Sequence, residues 1–168
     1  DGPLFKGKDI AIIGGGNTAM EAAISMAVLS PKVYLVNITS KLTGDDLLAK
    51  KVASIHNIEI VAEATTKEII GDSFVKGLVY RDTNDAEHTL AVQGVFIEVG
   101  YIPNSGLETL TTKDEHNRII IDDNCNTNVE GIYAAGDITS IRDKQIVVAA
   151  GEGVKAALSA FYFLARKV

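Results

Sequence analysis

The chain has 168 residues, 46% of them hydrophobic, with a formal net charge of −6 and a pI near 5.0. That is length for one domain, or one domain and a segment of another, with enough apolar content for a real core. The acidic balance argues against nucleic-acid or anionic-membrane partners. The single cysteine excludes an internal disulfide framework and fits a reducing, cytoplasmic setting. No apolar run is expected to approach the ~20 residues that span a bilayer, and no signal peptide is read at the start.

In chain order, residues 8–13 read as an apolar strand that runs into Gly14-Gly15-Gly16. Residues 17–29 read as a helix, closed by Ser30-Pro31, and residues 33–36 as a second strand. The whole is a βαβ unit, and its turn spells Gly14-x-Gly16-x-x-Ala19, the spacing of a dinucleotide-binding fingerprint. The chemistry needs those residue types in that order. Gly14 permits the tight turn. Gly16, without a Cβ, lets a pyrophosphate approach the backbone. Ala19 is small enough for helix to pack on strand. The N–H groups and positive dipole end of the helix, over Gly15, Asn17 and Thr18, then face the diphosphate. The same glycines would also suit a plain strand–helix corner. The second strand ends at Asn37, about 20 residues past the fingerprint, where a ribose-reading side chain belongs.

Further on, residues 45–56 read as a helix and 58–61 as a third strand. Residues 66–70, 75–81 and 88–92 read as short strands separated by turns at Gly71-Asp72 and at 82–85, a small antiparallel meander inserted in the crossover. Residues 94–99 return as a strand, and Pro103-Asn104 marks a boundary. Beyond it come expected strands at 118–121 and 131–134 and a helix over 145–166, too little to close a second domain. His56, His88 and His116 are scattered, so no metal site is expected, and no Gly-x-Ser-x-Gly elbow suggests a hydrolase. Cys125 lies between polar residues and reads as an isolated thiol, because disulfide exchange on a flavin needs a pair.

Several longer motifs accompany the fingerprint: residues 1–8, 13–19 and 95–104, Cys125-Asn-Thr-Asn-Val129, residues 131–137 and residues 144–153. Taken together, the sequence resembles the low-molecular-weight thioredoxin reductase group of flavoprotein disulfide reductases, with its likeness there to the flavoprotein subunits of alkyl hydroperoxide reductases. The resemblance implies an α/β fold. Residues 1–102 would be a Rossmann-like NAD(P)H-binding domain with a parallel sheet and a crossover meander. Residues 103–168 would be the C-terminal half of a Rossmann-like FAD-binding domain. The first FAD half and the redox Cys-x-x-Cys are expected outside these residues, since in the family that pair immediately precedes an Asp-Gly, here Asp1-Gly2.

The resemblance also implies roles. Asp1 would pass the proton that a leaving thiolate needs. Gly100 and Pro103 would lie near the nicotinamide; by themselves they read equally as an ordinary turn. Gly136 would let the backbone approach the flavin diphosphate and Asp137 would accept a hydrogen bond from a ribityl or ribose hydroxyl, although an acid after a strand can also simply cap the next turn. Lys144, Gln145 and Ile146 would bring backbone and the Gln145 amide to the isoalloxazine edge.

Members that use NADPH carry His-Arg-Arg and a later Arg after the second strand, because a guanidinium pairs bidentately with a phosphate. Residues 37–46 here hold no arginine, one lysine and two aspartates, so NADH is expected over NADPH, with Asn37 hydrogen-bonding the ribose. The expected function is transfer of electrons from NADH through FAD and a Cys-x-x-Cys pair to a thioredoxin-like protein or peroxiredoxin, in a homodimer. A dinucleotide-binding module without turnover and a thioredoxin-reductase-like ferredoxin reductase are the alternatives.

Overall fold

The computed structural model describes residues 1–106 and 108–166. The chain forms two compact units, one spanning Asp1–Gly100 and one beginning at Tyr101.

The first unit is built on a parallel sheet. Strands β1 (Ile10–Ile13), β2 (Val33–Val36), β3 (Ile58–Val61) and β7 (Gly94–Ile97) lie in the order β3-β2-β1-β7. Ile10 pairs with both Val33 and Gly94, so β1 is central. A central parallel strand is covered on both faces and must be apolar throughout, which explains the uninterrupted Ile-Ala-Ile-Ile. Alternation then sorts its side chains. Ile10 and Ile12 enter a core with Met20, Val33, Leu35 and Val52, beneath helices α1 (Asn17–Met26) and α2 (Asp46–Ser54). Ala11 faces the other way, into a core with Val36, Ala64, Leu78 and Val92. That second core lies under an antiparallel meander of β4 (Thr65–Gly71), β5 (Val75–Arg81) and β6 (Glu87–Leu90), joined in that order.

Most expected elements of this unit form, with shorter ends. α1 stops at Met26 and continues only as turn, β7 ends at Ile97, and a 3-10 turn over Gly2–Phe5 precedes the first strand. The Phe5 ring meets Phe96 edge to face at 5.1 Å, which ties that turn to the sheet.

The second unit departs from expectation. Residues 118–121 and 131–134 do not become strands. Ile119 bridges singly to Lys113 and to Thr139, and Tyr133 singly to Asn126. A ladder needs successive pairs from a neighbouring strand, and each segment finds one. The expected helix does form, as α3 (Ile146–Ala165), with Gln145 at its N-cap. Its 20 residues and mean hydropathy of 1.4 make it long and apolar enough to cross a membrane by length and composition. This corrects the expectation that no segment approaches that size. Alanines and glycines break the aliphatic runs, yet Glu152 and Lys155 are the only charges over its length. Core helices of soluble proteins meet the same test.

The turn between β5 and β6 shows how local polar groups set register. Asp82 accepts from the N–H groups of Asn84 and Ala86 at 2.8 and 3.1 Å, and its other oxygen lies 2.8 Å from His88 Nε2. His88, then these N–H groups, hold the Asp82 carboxyl below its ordinary 3.8. Its folded-state pKa is depressed, so the stabilisation is complete above that ordinary value and is lost as pH falls through the lower folded one. A carbon-detected NMR titration of Asp82 should therefore show a midpoint below 3.8 in the native protein, moving up toward it in His88→Ala. An unmoved midpoint would assign the depression to the backbone N–H groups.

Candidate functional site

Where β1 ends, three elements crowd the first glycine. Gly14 has φ +139°, outside the range of ordinary side chains, and a Cβ there would overlap the carbonyl oxygen of Glu98 beyond β7. Its N–H donates to Val36 O at 2.9 Å, at the end of β2. The same Cβ would stand 3.1 Å from that of Ala19, which is fully buried. Gly14 and Ala19 thus perform the packing roles expected of them. A Cβ on Gly15 would overlap the Asn37 side chain.

Gly16 differs from both. A Cβ there would meet nothing within 4 Å. It is the N-cap of α1 and provides no side-chain hydrogen bond, and the first turn of that helix carries no acid. The opening N–H groups of a helix have no intrahelical acceptor, so this end is a concentration of donors and positive dipole with open space before it. That space belongs to a cavity of about 580 Å³, lined by Gly14, Gly15, Gly16 and Thr18 on one side and by Asn37, Thr39, Thr65 and Glu98 among others. The volume is that of a small-molecule pocket. The residues fit a nucleotide diphosphate: an uncapped helix end, and a backbone that anything larger than glycine would obstruct.

Gly100, at φ +96°, also lines this cavity, whereas Pro103 belongs to the second unit. Asn17 turns elsewhere. Its Oδ1 accepts from Asp45 N–H at 2.7 Å and braces the start of α2, where Asp45 caps Leu47 N–H at 2.7 Å. Asn37 lines the cavity but is only 3% exposed. Its Nδ2 donates to Thr39 O, Thr39 Oγ1 and Lys41 O at 2.8, 2.9 and 2.9 Å. The amide therefore knots the loop after β2 and holds it against Gly15, leaving Thr39 and the loop backbone nearest to any ribose. No lysine or arginine lines the cavity, and its one ionisable side chain is the carboxylate of Glu98. Asp1 is exposed, and its carbonyl accepts from Leu4 N–H at 3.0 Å.

The second unit presents a different turn. Gly136, at φ +80°, is buried and precedes the exposed Asp137. Its N–H donates to Glu152 Oε2 at 2.9 Å, from the second turn of α3. Its carbonyl accepts from Thr139 N–H at 3.0 Å and from Thr139 Oγ1 at 2.7 Å. Lys144 Nζ donates to Asp137 O at 3.0 Å and Thr139 O at 2.6 Å. Gln145 and Ile146 stand exposed at the start of α3, Ile146 by 91%. Cys125 is fully buried, with its thiol 3.5 Å from Glu152 O, and burial pushes its pKa up, as suits a structural thiol.

Comparison with known proteins agrees with this arrangement. The sequence profile of the pyridine nucleotide-disulphide oxidoreductase family matches residues 2–153. The chain belongs to the pyridine nucleotide-disulphide oxidoreductase family. It is 47% identical to the alkyl hydroperoxide reductase flavoprotein, the F component, of Xanthomonas campestris pv. phaseoli and 45% identical to that of Escherichia coli (strain K12), each over 99% of this chain and 32% of the relative. It thus spans about a third of the length of the curated relatives it matches. Among solved structures it superposes on Lactococcus lactis thioredoxin reductase with a TM-score of 0.87 and 30% identity, over 99% of this chain and 56% of that one. On T. acidophilum thioredoxin reductase the TM-score is 0.83 and the identity 38%, over 96% and 54%. The oxidoreductase family fold of α/β layers around a parallel sheet is the one found here.

Sequence reasoning on this family's motifs did not single out Glu152. The available signal was a lone acid between two glycines in an otherwise apolar helix, a pattern that needs a partner if buried.

The glycines make a discriminating pair. Gly14→Ala should lower stability by about 2 kcal/mol or more, from left-handed strain and overlap with Glu98. Gly16→Ala should stay within about 1 kcal/mol of the native protein. Thermal melts of both variants check this, and equal losses would show that the turn is not divided as described.

Proposed function

We propose that this chain supplies the nicotinamide-nucleotide domain and the C-terminal part of the FAD domain of an NADH-dependent flavoprotein disulfide reductase. Electrons would pass from NADH through FAD and a Cys-x-x-Cys pair to a thioredoxin-like protein or peroxiredoxin. The observation that carries the reading is the open face of Gly16, at an uncapped helix end, before a cavity of about 580 Å³.

The bound cofactors supply the hydride and electron chemistry, and the protein's share is binding, orientation and electrostatics. The N–H groups at the start of α1 hold a diphosphate. Gly14 and Gly15 keep that turn pressed against Glu98 and Asn37, so the donors are fixed in direction. Asn37 holds the loop of Thr39, which leaves neutral hydroxyls and backbone beside the ribose. A 2′-phosphate on NADPH would bring two negative charges to a wall without a cation and with one carboxylate. In the second unit Asp137 stands exposed for a hydroxyl, and Gln145 offers an unencumbered amide at the start of α3. The exposed apolar side chains of α3, among them Val147, Phe161 and Leu164, suit cover by the remainder of an FAD domain.

Calorimetric titration separates the nucleotides. NADH should bind at least roughly tenfold more tightly than NADPH, the size of one unmatched charged contact. Equal affinities, or tighter NADPH, would overturn the assignment.

A further inference from the structure

A buried carboxylate needs a reason to be buried. Glu152 is 4% exposed, on a helix whose other residues over the same turns are small or apolar. Its Oε2 accepts the Gly136 N–H at 2.9 Å, a bond between residues 16 apart in sequence. No other side chain reaches that N–H among the described residues. The carbonyl of the same residue is tied to Thr139, which is fully buried. Both polar groups of Gly136 are therefore fixed, one by α3 and one within the turn. Asp137 follows directly, exposed, with its own carbonyl held by Lys144.

We propose that Glu152 is a positioning residue for the flavin-nucleotide turn. Its carboxylate locks the left-handed Gly136 peptide, and through it fixes the direction in which Asp137 meets a nucleotide hydroxyl. A charge-assisted bond to a backbone N–H is stronger than a neutral one and resists rotation of the peptide. Gly136 suits the lock for a second reason: at φ +80° and with a Cβ position 3.4 Å from Ala149 Cβ, it sits close against α3, where the Glu152 side chain reaches it. The inference deepens the flavin-domain reading and rests on it.

The test uses the full-length protein and the variants Glu152→Gln and Glu152→Ala. Glutamine keeps an acceptor oxygen of the same reach; alanine removes it. Two readouts are taken together: amide hydrogen exchange at Gly136, and FAD affinity from flavin fluorescence after reversible removal of the cofactor. NADH affinity serves as the control for folding of the first unit. Glu152→Ala should accelerate Gly136 exchange and weaken FAD by roughly tenfold each, the effect of losing one bond to a charged group, while Glu152→Gln restores most of both. NADH affinity should be unchanged in all three. Unaltered FAD affinity in Glu152→Ala, with Gly136 exchange accelerated, would overturn the positioning role. Unaltered exchange would overturn the lock itself. If the native protein binds no FAD while Gly136 exchange responds as expected, the flavin-domain reading fails and the lock remains as a structural bond only.

Discussion

The first unit depends on the absence of a side chain at one residue. At Gly14, β1 ends between the last residues of β2 and β7, and α1 begins over it. The peptide donates to Val36 O, its backbone takes φ +139°, and no Cβ can fit beside the Glu98 carbonyl. Any larger residue would push β7 away from β1 or lift α1 from the sheet. Because that junction is tight, the next glycines are presented at a fixed height, and the first N–H groups of α1 point into the cavity rather than into protein. Packing and binding are therefore consequences of one steric constraint.

The two ends of the fingerprint divide their work. Gly14 and Gly15 are glycine because protein fills the space beside them, and Gly16 is glycine where the space is open. Only the last needs a ligand to account for it. The electrostatics follow the same logic. An uncapped helix end attracts an anion, while the far wall of threonines, backbone and one carboxylate accepts sugar hydroxyls and offers nothing to a second phosphate. The Asn37 amide supports that wall from behind by holding Thr39 and Lys41.

Much of the first unit was legible in the sequence, for physical reasons. β2 and β5 form over the residues expected, because each is a short apolar or β-branched run bounded by turn residues. The glycine turn was legible because its residue types serve local geometry. The second unit was not, because a strand is made by its neighbours: Ile119 and Tyr133 have strand-like sequences and find single bridges. Asn37 was expected to face a ribose from its place at the end of β2. That its Nδ2 turns back into the loop depends on the path of residues 38–41, which no spacing rule gives. Glu152 was invisible for a similar reason. Helical periodicity places it, but its partner lies in a turn sixteen residues earlier. Cys125, flanked by polar residues, is buried because α3 covers it.

The most direct measurement is an amide-resolved NMR titration of the protein with NADH. The account predicts saturable shifts largest at Gly15, Gly16, Asn17 and Thr18, where the helix donors meet a diphosphate, with smaller changes at Thr39. A saturable response centred elsewhere, or none at millimolar NADH, where even a weak pocket with a Kd of ~1 mM would be half filled, would contradict it.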